Sequence, residues 1–259
     1  MAAPLRAIRS ALMLAAGAAA GTLVLVSSSA AAAPLTLRAA LMGAEGQTPA
    51  GPLVARYQSD DGGVFILDRS RRRPLLKFAD SPEIWALKAS GGPRGDIIYR
   101  DDVGDMVLRA TKLGGVTVFT EKRPDGSAAA LEGPSAPLRI QPIGPQALFE
   151  HFYQASVRAT RAAQHLVEFE NREDAAPAVA GLLADAALVA SEALVDIAAH
   201  PGGKVILTRI RDVVIAQGAR PDASLQRGVL TVTVAPSQGV AGRPSSRRVE
   251  RAAGASPLE

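Results

Sequence analysis

Cysteine is absent from the 259 residues, which excludes disulfides, a thiol nucleophile, iron–sulfur clusters and thiolate zinc sites. Aromatic side chains are nearly as scarce. One Trp, three Tyr and six Phe do not build the interleaved basic and aromatic stripe that stacks nucleic-acid bases, so no nucleic-acid partner is expected. There are only three histidines. His151 and His165 fall on one expected helix but roughly 20 Å apart by the helical rise, too far to share an ion. His200 falls in the last turn of a second helix, where a cation complements the helix C-terminus. No nucleophile elbow, phosphate loop, dinucleotide fingerprint, zincin helix or calcium loop is written in the chain. Neither cofactor nor metal is expected, and an enzyme would have to be assembled from scattered residues.

What is present begins with a leader. Arg6 and Arg9 stand without acidic company in the first ten residues, residues 11–26 are apolar, glycine or threonine, and Ser27–Ser29 with the alanines behind them supply the small side chains a signal peptidase needs. Pro34 would hinder a cut directly before it, so cleavage is placed after Ala32. The sixteen-residue apolar run is shorter than the roughly 20 residues a spanning helix requires, so the membrane is a partner only through the leader if uncleaved. The expected localisation is periplasmic or secreted. The formal charge is +4. Loss of the leader leaves 27 basic against 25 acidic residues, close to neutral, which argues against a polyanion-binding surface spread over the whole protein.

Residues 33–52 read as a flexible lead-in rich in glycine and proline. From 53 to 121 the chain repeats short β-prone runs, 53–58, 64–68, 75–78, 84–88, 96–100, 106–112 and 116–121, broken by turn residues such as Asp60-Asp61-Gly62-Gly63 and Leu113-Gly114-Gly115. These predict six or seven strands in one antiparallel sheet, sandwich or open barrel. Residues 122–144 read as a Pro/Gly-rich linker. Leu148, Phe152, Ala155, Ala159, Ala162 and Leu166 then mark one stripe of a helix running to about Asn171, and Val179 to Ile197 a second helix stopped by Pro201-Gly202-Gly203. Together they predict a helical hairpin over 145–200. Residues 201–238 form a C-terminal segment in which 205–217 reads equally as helix or as a strand over 213–216. Gly228 to Val234 alternates as a strand, and the two are expected to pair across 218–227. The tail, 239–259, reads as disordered. The fold class predicted is α+β: an N-terminal antiparallel β region, a central helical hairpin and a C-terminal strand pair.

The densest charge run, Arg69, Arg71, Arg72 and Arg73, could grip a phosphate or another anion through bidentate guanidinium contacts, with Arg243, Arg247, Arg248 and Arg251 of the tail as reinforcement. The ordinary alternative is a solvated turn. Asp101, Asp102 and Asp105 lack the ligand alternation of a calcium loop and are expected in a solvated hairpin turn.

The stretches Phe65-Ile66-Leu67-Asp68-Arg69-Ser70, Pro74 to Phe78, Ser81-Pro82-Glu83-Ile84-Trp85, Gly92 to Asp96, Leu113 to Phe119 and Gly242-Arg243-Pro244-Ser245-Ser246 resemble a family of exported bacterial proteins classed as a domain of unknown function. The resemblance implies one α+β unit over most of the mature chain and no assigned activity. Two functions are therefore carried forward as expectations. One is a non-catalytic envelope module binding an envelope protein or an anionic ligand. The other is a hydrolase of an envelope substrate that uses a carboxylate pair drawn from Asp68, Glu83 and Asp96.

Overall fold

The computed structural model describes residues 51–173 and 175–254. The expected leader, nearly all of the lead-in and the last five residues of the tail lie outside them. Nine strands form the first sheet: β1 (Val54–Ser59), β2 (Val64–Asp68), β3 (Leu75–Phe78), β4 (Ile84–Ala86), β5 (Lys88–Gly91), β6 (Ile97–Arg100), β7 (Met106–Ala110), β8 (Val116–Thr120) and β9 (Arg123–Pro134). Their order is β4-β3-β2-β1-β9-β8-β7-β6-β5, antiparallel throughout. The two ends of that list are neighbours in sequence, joined by Leu87 alone. β4 and β5 therefore act as one strand bent at Leu87, and the meander closes into an eight-stranded up-and-down barrel, which removes free sheet edges. Alternation fills its interior with Tyr57, Phe65, Leu67, Leu76, Leu87, Tyr99, Leu108 and Val118. An aromatic path, Tyr57 to Phe65 to Phe78 to Trp85, runs around the inner wall with centroid separations of 5.3, 6.0 and 5.9 Å.

Closure depends on β9, which pairs with both β1 and β8. It lies inside the segment expected to be a linker, and this is the largest correction to the strand reading. Alanines fill its middle and carry no β signal, while Gly126 marks a bulge instead of a break. Its φ is +90°, and a Cβ there would lie 2.6 Å from Thr117 and 2.8 Å from Phe119.

The second half surrounds a four-stranded sheet, order β10-β11-β13-β12, made of β10 (Glu168–Asn171), β11 (Asp212–Gln217), β12 (Asp222–Gln226) and β13 (Val229–Val234). β10, β11 and β13 are parallel and β12 is antiparallel to β13. The helices are α1 (Pro145–Ala163), α2 (Pro177–Ala199), α3 (Gly203–Leu207) and α4 (Ser246–Ala253). α1 and α2 pack on each other, as the paired stripes predict, but α1 stops at Ala163 instead of near Asn171 because Gln164 turns left-handed (φ 62°). The residues behind it become β10. The strands β11 and β13 do pair, in parallel and not as a hairpin. The expected connection between them contains β12 and a two-residue turn, Arg227-Gly228, with positive φ at both positions.

α2 is long and apolar enough to cross a membrane by length and composition, and 67% of its most apolar window is buried in the fold. It is the central core helix. Leu183, Ala187, Ala190, Leu194 and Ile197 pack with Phe152 and Ala159 of α1 and with Val213, Ile215, Leu230 and Val232 of the sheet. A third apolar cluster joins the two halves: Leu75 and Ile84 on the barrel's outer face meet Leu138, Val240 and Ala241.

Residues 239–254 of the tail are folded, contrary to the expectation of disorder. Pro236–Gly242 makes a 3-10 turn closed so tightly that a Cβ on Gly242 would lie 2.2 Å from the Ala235 carbonyl oxygen. α4 follows, its N-terminus capped by the Ser245 side chain.

Candidate functional site

α1 buries Phe152, Ala155, Ala159 and Ala163 and turns two other aromatics outward, Phe149 at 73% and Tyr153 at 64% exposure. Leu166, expected on the buried stripe, lies three residues past the end of α1 and is also exposed. These side chains form one wall of a groove of about 1030 Å³ whose opposite wall is β10 and the segment leading into α2, with Phe169, Ala175 and Ala180 among its lining. The position of α1 is fixed by side-chain bonds to the sheet's edge. Phe169 N–H donates to Ser156 Oγ (2.9 Å) and Val167 N–H to Thr160 Oγ1 (3.0 Å), so part of the edge strand's unpaired backbone is satisfied by the helix. His165 holds the turn after α1 through its two ring nitrogens, at 3.1 Å from Ala163 O and 2.8 Å from Ile210 O.

The groove's polar lining includes Glu168, Glu170 and Glu173 against Arg161 and Arg172. Asn171, also in the lining, has a buried Oδ1 that accepts no hydrogen bond from the described residues, while its amide nitrogen donates to Glu173 O. A buried acceptor left without a donor costs about 1–3 kcal/mol, so this position favours an incoming N–H.

The sequence-predicted residues lie elsewhere and do not converge. Arg69 donates to Pro52 O (2.6 Å) and hydrogen-bonds Tyr99. Arg73 reaches Gln238 Oε1 (3.1 Å). Arg71 and Arg72 are exposed. The three carboxylates proposed for hydrolysis serve the architecture. Asp68, fully buried, accepts from Ser70 N–H and from Leu138 N–H at 2.9 Å each. Asp96 pairs with Arg109 (2.5 Å). Glu83 accepts from Ser246 Oγ (2.7 Å) and pairs with Arg243 (3.1 Å).

The tail arginines are held by carboxylates. Arg243, with 2% of its side chain exposed, bonds Glu83 on the barrel and Asp185 on α2, and donates to Ile84 O (2.8 Å). Burial works against its charge, but the two carboxylates outweigh that and raise its pKa. Arg247 lies 4.9 Å over the Trp85 ring and reaches Asp101 (3.3 Å) and Glu121 (3.4 Å). Arg248 pairs with Asp102 and Asp222, and Arg251 with Asp105. The turn 101–105 is thus not simply solvated. Asp101 is buried, accepts from the N–H groups of Val103, Gly104 and Asp105, and its carboxyl is raised by burial against those bonds and Arg247.

Among the described residues no cluster of three or more His, Cys, Asp or Glu could hold a metal ion. The architecture is that of an α+β protein, a closed barrel joined to a mixed α/β layer, with an apolar groove on the surface of the second half. The chain belongs to the family described as domain of unknown function DUF4908, whose model matches residues 36–253. No curated protein and no solved structure gives a significant match.

The groove was only half legible beforehand. Phe149 and Tyr153, four apart and off the buried stripe, carried the signal of a second apolar face on α1. The opposite wall depends on a strand that local pattern did not reveal.

Proposed function

We propose that the protein is an exported, non-catalytic interaction module of the cell envelope, and that the α1–β10 groove receives a segment of a partner protein that is amphipathic and basic. The exposed pair Phe149 and Tyr153 above that groove carries this reading, because solvent-facing aromatics over an apolar floor are the usual anchors of a recognition surface. Three glutamates against two arginines in the lining, with the unsatisfied Asn171 oxygen, favour a ligand that brings positive charge and N–H donors. Export rests on the leader-like residues, Arg6 and Arg9 followed by the apolar run and the small residues before Pro34. The structural engagement of Asp68, Asp96 and Glu83 weighs against the hydrolase alternative.

A thermal-shift screen with amphipathic peptides of graded charge tests this, since a ligand specific to the folded state raises the midpoint by mass action. Basic peptides should raise it, and the double change Phe149→Ser, Tyr153→Ser should abolish the rise. A shift that survives the double change would overturn the groove. A salt-sensitive shift with polyanions that is lost on Arg71→Ala, Arg72→Ala would move the function to the arginine turn.

A further inference from the structure

By strand direction, the turns after β1, β3, β6 and β8 lie at one end of the barrel, and all four carry acids, among them Glu83, Asp101, Asp102, Asp105 and Glu121. α4 lies across that end, its Arg247, Arg248 and Arg251 paired with this rim. Its inner face buries Val249 and Ala253 in the core of the α/β half. Arg248 also reaches Asp222 on β12. The helix is a strap fastened to both halves.

One side chain of the strap faces the wrong sign. Among the described residues Glu250 makes no ion pair: it stands one turn past Ser246, whose hydroxyl donates to Glu83 (2.7 Å), and three residues past Arg247, which reaches Glu121 (3.4 Å), and the charges acting on it are Asp196 of α2, Glu121 of the β8–β9 turn and Glu83 before β4, with Arg247 of its own helix as the opposing charge. Asp196 in turn faces Glu192, Glu121, Glu83 and His200. Four carboxylates from four elements thus crowd one seam, and the nearest arginines, Arg243 and Arg247, are shared with other acids.

We propose that α4 is a pH-sensitive latch on the barrel mouth, held most firmly when the Glu250 side chain is neutral and loosened when it ionises. The physical basis is the seam's excess of negative charge. Burial first, and then Asp196 and Glu121, push Glu250 up to about 7, whereas in the undocked helix it returns to the ordinary carboxyl range. A carboxyl whose docked pKa is raised contributes stability that is complete below its free value and is lost as pH rises through the docked value. The window therefore runs from about pH 4.5 to above 7.

The molecule carries its own reporter: its single Trp is the ring under Arg247. Hydrogen exchange and Trp85 emission would be followed from pH 5 to pH 8 on the full chain, with exchange rates corrected for their intrinsic pH dependence. In the wild type the protection of residues 246–253 should fall by about 30- to 300-fold relative to the barrel strands, and Trp85 emission should move to longer wavelength with a midpoint near 7. Glu250→Gln should keep the protected state across the range. Asp196→Asn, which removes a facing charge, should lower the midpoint and serves if the first variant does not fold. A wild-type strap whose protection does not change with pH, or variants that retain the wild-type profile, would overturn the latch.

Discussion

The two halves solve the problem of burying a β-sheet in opposite ways. The barrel closes on itself: consecutive strands pair through short turns, β9 returns to β1, and large side chains such as Phe65, Leu67, Leu76 and Tyr99 fill the interior. The α/β half leaves its sheet open, brings strands distant in sequence side by side, and packs alanine-rich helices over them. Closure leaves the barrel few groups to offer a partner. The open sheet needs α1 to cover its edge, and the uneven fit of that helix leaves the aromatic groove. On the proposed function, scaffold and recognition surface are thereby divided between the halves, and the buried Arg243 between Glu83 and Asp185 is the tie that makes them one body.

Cutting that tie should give the largest effect. Arg243→Ala leaves two carboxylates buried without their cation, a loss of about 3–5 kcal/mol, or roughly 6–20 °C in melting temperature for a domain of this size. Calorimetry should then resolve separate transitions for barrel and α/β half. A single transition at the wild-type temperature would show that the apolar contacts of Leu75, Ile84 and Leu138 suffice. Asp68→Ala comes next, since Leu138 N–H would lose its buried acceptor, at about 1–3 kcal/mol. Urea midpoints would measure it.

Acid should favour the joined state over part of the range. With Glu250 raised towards 7, denaturant stability should drop by about 1–3 kcal/mol between pH 5.5 and pH 8, and Glu250→Gln should flatten this trend. The smallest effect on stability is expected at the groove. Phe149→Ser with Tyr153→Ser should move the melting temperature by no more than a degree or two, because exposed side chains contribute within about 0.5 kcal/mol. A large loss there would mean that the two rings hold the fold together instead of facing a partner.

How much could be read in advance followed the same division. The expected runs 64–68, 75–78 and 116–121 match β2, β3 and β8 nearly residue for residue, because they are short apolar, β-prone stretches bounded by turn residues such as Gly62-Gly63 and Gly114-Gly115. β9 escaped because Pro124, Gly126 and a run of alanines look like a linker until β1 and β8 are present on either side. β10 escaped because Glu-Phe-Glu-Asn continues a helical pattern as readily as it makes a strand, and its partner β11 lies some forty residues on. The tail departs from its expected disorder for an electrostatic reason. Its arginines and glycines have the composition of a disordered segment, and only the acidic rim supplied by distant turns converts them into a docked strap.

By itself, then, the sequence determined the α+β class, the seven β-prone runs that fall on β1 to β8, the two packed helices and the absence of thiol chemistry, all of which follow from periodicity, turn residues and composition within short windows. Tertiary structure alone decided that the sheet closes, that β10 and β12 exist, that Arg243 is buried, and that Phe149 and Tyr153 face a groove. Each of those depends on groups far apart in the chain, whose desolvation and pairing acquire an energy only when the fold brings them together.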